Sequence, residues 1–203
     1  MNLEPIKILV DTRNQDDSFV IKGLEYLGFE MGKSILRTKL PFGDVALATN
    51  LLNAIDLKSS GGGLIELSKN VCSKDHTRVR REIDKCLNFG GTLTFLCFET
   101  ENDSEIKSVE DIHKWQVPRF KSNLYKQLTT PEGEKVKILL HKKGEPMTKV
   151  NPSTLQKALE TMSEPNHYGE GTKINFEFTN KKDCATKILE LLLRSEYDKY
   201  RKN

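Results

Sequence analysis

Four residues of this chain have the types and spacing that can hold a divalent ion beside a phosphate: Asp11, Asp44, Asp56 and Lys58. Asp11 closes the apolar run Ile6-Lys-Ile-Leu-Val10, Asp44 follows Gly43, and Asp56-Leu-Lys58 ends a second apolar run. Side chains alternate along a strand, so Asp56 and Lys58 point one way and Leu57 the other. A hairpin folded symmetrically about Asn50 sets Asp44 opposite Asp56, where cross-strand Cβ atoms lie about 4.5–5.5 Å apart. Carboxylates that close repel unless a cation neutralises them. Mg2+ (or Mn2+) does so with one or two carboxylates, waters and phosphate oxygens, and the Leu57 carbonyl could add a further ligand. Lys58 is then placed to orient or help deprotonate an attacking water and to offset charge on a phosphorane-like transition state. An isolated Asp-x-Lys is equally the pattern of a surface strand with an ion pair; three acidic positions, each in or beside a strand, are what set this chain apart.

The elements that must carry these residues alternate between strand and helix periods. Ile6–Val10 reads as a strand, and Ser18–Leu27 repeats Val20, Leu24 and Leu27 at helical spacing before Gly28. Asp44–Ala48, Thr49-Asn50 and Ala54–Lys58 read as a hairpin. Helices are expected over Leu64–Val71 and, capped by Asp75, over a segment with Val79, Ile83, Cys86 and Leu87 on one face. Thr92–Phe98 has the composition of a buried strand, and Ser108-Val-Glu-Asp111 starts a helix running through Ile112 and Trp115. Lys135–Leu140 and Lys173–Phe178 complete the strands. Ser153–Met162 and roughly Lys181–Arg194, capped by Asn180, complete the helices, and Ser195–Asn203 is charged enough to fray. The layout is α/β.

Three segments together resemble a known family. Val10-Asp-Thr-Arg13, Leu40-Pro-Phe-Gly-Asp44 and Ile55-Asp-Leu-Lys-Ser59 are similar to the V-D-x-R-E, G-D and E-R-K-S signatures of XPF-type structure-specific nucleases, a branch of the PD-(D/E)xK superfamily. Thr92–Glu99 resembles the family's next core strand, and Ile174–Leu193 its closing strand and helix. The chain departs from the pattern at Asn14, where the family has Glu, at Asp56, one methylene shorter than the usual Glu, and at Leu57, which replaces an arginine. No tandem helix-hairpin-helix module follows, an arrangement similar to compact stand-alone members in phage and prophage genomes. The resemblance implies one nuclease-like domain over 1–203, a restriction-endonuclease-like mixed β-sheet flanked by helices with a basic insertion at 103–149. It further implies a metal-dependent phosphodiesterase acting on branched or single-strand/duplex junction DNA, with a homodimer possible. Asp11, Asp44 and Asp56 would be the acidic metal-site residues, Lys58 the catalytic lysine, and Arg13 would lie near the phosphate. A non-cleaving nucleic-acid adaptor on the same fold, and a structural protein with an internally ion-paired hairpin, are the other readings.

Charge is unevenly placed, as in a polyanion-binding surface or a solvated loop region. The 203 residues carry 32 Lys and Arg against 29 Asp and Glu, a net of +3. Between His113 and Lys149 nine basic residues face three acidic ones, a net of +6, which leaves −3 for the remainder. Lys142 and Lys143 are the densest pair. Arg78, Arg81 and Lys85 recur at helical spacing, as phosphate contacts or as solvated helix surface, and Trp115, Phe120 and Tyr125 alternate with basic residues, as base contacts or as packing. Glu66 begins the helix after the triplet and could reach the metal or serve the helix dipole. Gly61-Gly-Gly63 lacks the ending of a P-loop. No run approaches the ~20 apolar residues of a membrane span, no signal-peptide pattern opens the chain, and the cytoplasm is the expected location. Cys72, Cys86, Cys97 and Cys184 have neither zinc nor disulfide spacing and are expected to be buried thiols.

Overall fold

A computed structural model describes residues 6–14, 17–59, 62–72, 77–98, 105–131, 133–165, 167–170 and 172–201, with side chains described to Arg194. Asp75, Gly61 and Glu99 lie outside the described residues.

Six strands form one mixed sheet: β1 (Ile8–Asp11), β2 (Ile35–Thr38), β3 (Val45–Leu47), β4 (Asn50–Lys58), β5 (Thr92–Phe98) and β8 (Lys173–Thr179). Their order is β2-β1-β3-β4-β5-β8, antiparallel on both sides of β3 and parallel elsewhere. The helices are α1 (Ser18–Tyr26), α2 (Gly63–Cys72), α3 (Thr77–Phe89), α4 (Pro152–Ser163) and α5 (Cys184–Arg201). The chain is thus α/β, with a six-stranded mixed sheet between helices. Among the described residues no helix is long and apolar enough to cross a membrane.

Strand parity sorts the core into two halves. Ile8, Val10, Val45, Ile55, Leu57, Leu96 and Phe98 pack against α1 and α5. Ala46, Ala54, Leu93, Phe95, Cys97 and Phe176 pack against α2, α3 and α4. The charged residues of interest share the parity of the second set: Asp44 with Ala46, Asp56 and Lys58 with Ala54, and Asp11 with Leu9, which packs there too. All four therefore lie on the α2/α3/α4 face, and all at one end of the sheet, where parallel strands β1 and β4 finish and antiparallel β3 begins.

Several local expectations differ from the structure. The hairpin register pairs Val45 with Ile55 and Ala46 with Ala54, as symmetry about Asn50 requires, but the chain turns tightly at Ala48-Thr49 and absorbs the excess in a bulge that leaves Leu51 and Leu52 exposed. Strand β2 gave no sequence signal because it is a short edge strand with only Ile35 buried. The Ser108 helix is a 3₁₀ turn over Val109–Lys114. The final helix does not stop near Arg194 but continues to Arg201. Asn180 caps its approach, Oδ1 accepting from the N–H groups of Lys182 and Asp183 at 2.9 and 3.0 Å.

Between β5 and α4 the basic segment stands outside the main sheet as a two-stranded ribbon, β6 (Leu124–Thr129) and β7 (Lys135–His141), whose residues are all exposed. It is rooted by Ile112 and Trp115, both buried, and by Val117 and Met147 packed on the same core. All four cysteines are free, three of them buried.

Candidate active site

Backbone hydrogen bonds stitch the three strand ends together. The Asp11 N–H donates to the Asp44 carbonyl at 2.8 Å, and the Asp44 N–H to the Ile55 carbonyl at 2.7 Å. Continuing the β3/β4 register by one residue brings Asp44 beside Asp56. Where the backbone ladder ends, Asp44 Oδ2 accepts from the Leu57 N–H at 2.8 Å, so its carboxylate is fixed by the strand it faces. Gly43 is required here: its φ is +69°, and a Cβ would stand 2.9 Å from that of Ala54 and 3.1 Å from the Ile55 oxygen.

These groups line one wall of a cleft of about 390 Å³, together with Arg13, Asn14, Leu57 and Ser59. Glu66 of α2 and Arg78 and Glu82 of α3 line the other. The seating of α2 depends on Gly63, because a Cβ there would come within 2.6 Å of the Lys58 carbonyl and the Phe98 nitrogen. Gly63 thus lets a helix approach backbone to backbone, which places Glu66 near Lys58.

The electrostatics are dominated by the acidic pair. Burial and the charge of Asp56 push Asp44 up to about 7, although the Leu57 N–H, Lys58 and Arg78 act in the opposite direction. Lys58 is 1% exposed. Its Nζ forms an ion pair with Asp56 Oδ1, lies 4.0 Å from Glu66 Oε1 and sits 5.2 Å from the centre of the Phe95 ring. Burial works against its charge, but Asp56, with Glu66 and Asp44 behind it, outweighs burial and holds Lys58 above the ordinary lysine value. Lys58 is therefore an ammonium here, suited to stabilising negative charge.

Asp11 also departs from expectation. A carboxylate offers about four lone-pair directions. In Asp11 all four are used: Oδ1 accepts from the N–H and Nε of Arg13 at 2.7 and 2.8 Å, and Oδ2 from Arg13 Nη2 and the Leu40 N–H at 2.5 and 2.9 Å. Burial would raise its pKa, but these donors lower it. A metal would have to displace one of them, so the geometry makes Asp11 the residue that aims Arg13 rather than a metal ligand. Arg13, 46% exposed at its side chain, is further fixed by donating from Nη2 to the Leu40 carbonyl at 2.9 Å. With Nε and both Nη2 hydrogens so engaged, the Nη1 amino group is what Arg13 can turn to a phosphate oxygen. Asp11→Asn is accordingly expected to leave Mn2+ affinity unchanged in a calorimetric titration; lost metal binding would restore Asp11 as a ligand.

The other nucleic-acid candidates separate. Arg78 reaches the cleft, whereas exposed Arg81 does not line it, and Lys142 and Lys143 follow the ribbon strand β7. Glu82 escaped the sequence reading, which followed only the positive charges of its helix. It lies four residues after Arg78, so both face the cleft, with Oε2 accepting from the Gly43 N–H at 3.2 Å and Oε1 from Lys85 at 2.5 Å.

Among the described residues no group of three or more His, Cys, Asp or Glu side chains converges to hold a metal. What the cleft offers is the pair Asp44 and Asp56 with the Leu57 carbonyl in the same wall. These are hard oxygen donors, and the charge Asp56 imposes on Asp44 is what a divalent cation would neutralise. That fits Mg2+, which takes one or two protein carboxylates and fills its remaining positions with water and substrate phosphate. Comparison with family models, curated proteins and solved structures gives no match to this chain.

Proposed function

We infer that the chain is a Mg2+- or Mn2+-dependent endonuclease that hydrolyses DNA phosphodiester bonds at branched or single-strand/duplex junctions. The observation that carries this reading is the meeting, at one end of the sheet, of the Asp44/Asp56 pair and Arg13 in a single cleft, with the buried Lys58 ammonium paired to Asp56 behind its wall. A divalent ion held by Asp44 and Asp56 supplies charge neutralisation at the phosphate and an acidified water. Lys58 contributes a fixed positive charge where the phosphorane-like charge develops, at a site largely withdrawn from water, where such a charge acts more strongly than in solvent. Arg13 and Arg78 bind non-bridging phosphate oxygens across the mouth of the cleft. The junction preference comes from the likeness to XPF-type nucleases, as does the possibility of a homodimer.

One observation favours the non-cleaving adaptor: Asp56 is already neutralised by Lys58, so the cleft is not purely acidic. Incubating the protein with labelled flap, splayed-arm and Holliday-junction DNA, with and without Mg2+ or Mn2+, separates the two. Metal-dependent cleavage that disappears in Asp56→Ala is expected. Tight binding with no cutting under any of these ions would replace the nuclease by the adaptor.

A further inference from the structure

Both faces of the ribbon β6–β7 are open to solvent along its whole length. A lone two-stranded ribbon is at best marginally stable in water, so a surface of this kind is ordinarily completed by a partner. Its register pairs Lys126 with Ile138, Gln127 with Lys137, Leu128 with Val136 and Thr129 with Lys135. Alternation then divides the faces. Leu124, Lys126, Leu128, Val136 and Ile138 lie on one; Gln127, Thr129, Lys135 and Lys137 lie on the other, with Tyr125 and Leu139 nearer the root.

The charge identifies the partner of the second face. Lys135, Lys137, Lys142 and Lys143 are exposed and form no ion pair among the described residues. They belong to the segment that nets +6 in a chain netting +3. Gln127 and Thr129, directly across from Lys137 and Lys135, add hydrogen-bonding groups on the same face. The aromatic residues decide between single and double strands. Single strands are gripped by stacking on exposed rings, yet Trp115 is buried at 3% exposure and Phe120 is stacked on His141 with ring centres 4.4 Å apart. Only Tyr125 of the three is left for a base. A two-stranded ribbon matches the roughly 12 Å width of the B-DNA major groove, and lysines on its face suit the phosphates along that groove.

We propose that the β6–β7 ribbon is a duplex-binding arm, which grips a double-stranded branch of the DNA through the face bearing Gln127, Thr129, Lys135 and Lys137 and through Lys142 and Lys143 at its root. This rests on the nuclease reading of the cleft for the kind of DNA involved, but its binding is measurable without cleavage. Fluorescence anisotropy in EDTA, with a labelled 30-base-pair duplex and a single strand of equal length over a series of salt concentrations, tests it. The variant is Lys135→Gln/Lys137→Gln/Lys142→Gln/Lys143→Gln; a control, Lys22→Gln/Lys182→Gln, alters exposed lysines on α1 and before α5.

The quadruple variant is expected to lose at least tenfold in duplex affinity, with less effect on the single strand. Its slope of log affinity against log salt should be shallower by roughly 2–4, about 0.9 for each phosphate contact removed. The control should match the wild type, and circular dichroism should show both variants folded. An unchanged duplex affinity and slope would overturn the proposal. So would equal losses in the control. If the slope falls as expected while no metal supports cutting, the arm stands and the nuclease reading fails.

Discussion

Asp44→Asn is expected to stabilise the metal-free protein while abolishing cleavage. In the folded chain Asp44 titrates at about 7, against 3.8 for an ordinary aspartate, because burial and the Asp56 charge both oppose its ionisation. A carboxyl whose folded value is raised gives stability that is fully present below its unfolded value and is lost as pH climbs through the folded one. The loss therefore accumulates between about pH 4 and pH 7 and is complete above. At about 1.4 kcal/mol for each tenfold change in proton affinity, it amounts to roughly 4 kcal/mol at pH 8 and less than half of that at pH 5. Asparagine keeps an acceptor for the Leu57 N–H and carries no charge. Thermal melts in EDTA should show a Tm raised by on the order of 10 °C at pH 8 and by less than half of that at pH 5. Cleavage should fall by at least about 100-fold, because the ion loses one of its two carboxylates. A residue kept for structure alone would give the opposite sign, a lower Tm at every pH.

Lys58→Met is expected to separate stability from metal affinity. Removing one member of a buried ion pair leaves the other charge unpaired, at a cost of about 3–5 kcal/mol. For a chain of this size that lowers Tm by on the order of 10 °C. The same change frees Asp56 Oδ1 from the competing ammonium, so Mn2+ should bind the variant more tightly than the wild type and restore most of the lost Tm. Cleavage should stay absent, since the ion does not replace the fixed positive charge. A melt in which Mn2+ does nothing for Lys58→Met, or in which cutting returns with the metal, would contradict the roles given to Lys58 and Asp56.

Much of the central arrangement was legible because period-2 alternation is a strong signal where one face of a sheet is buried. The alternation of Asp56, Leu57 and Lys58 correctly set two charges on one face and an apolar side chain on the other, and the symmetry about Asn50 anticipated the pairing of Val45 with Ile55. The helices behind the sheet follow from their apolar stripes. What escaped depends on contacts between segments distant in the chain. Nothing in Val10-Asp-Thr-Arg13 reveals that the Leu40 N–H, 29 residues away, completes the hydrogen bonding of Asp11. Glu82 becomes visible only once its helix is seen to lie against Gly43. Strand β6 lies outside the expected strands because Leu124-Tyr-Lys-Gln-Leu-Thr129 has no apolar run to mark it, whereas its equally exposed partner β7 carries Ile138-Leu-Leu140. Trp115 and Phe120, set among basic residues, had the spacing of base-stacking rings, but tertiary packing occupies both.

The direct test is an Mn2+ titration followed by electron paramagnetic resonance on the wild type, Asp44→Asn, Asp56→Asn and Asp11→Asn at pH 8. One bound ion per wild-type chain is expected, severely weakened in Asp44→Asn and Asp56→Asn and retained in Asp11→Asn. A wild type that binds no Mn2+ even with DNA present, or one whose ion survives loss of both Asp44 and Asp56, would show that these two carboxylates do not form a metal site.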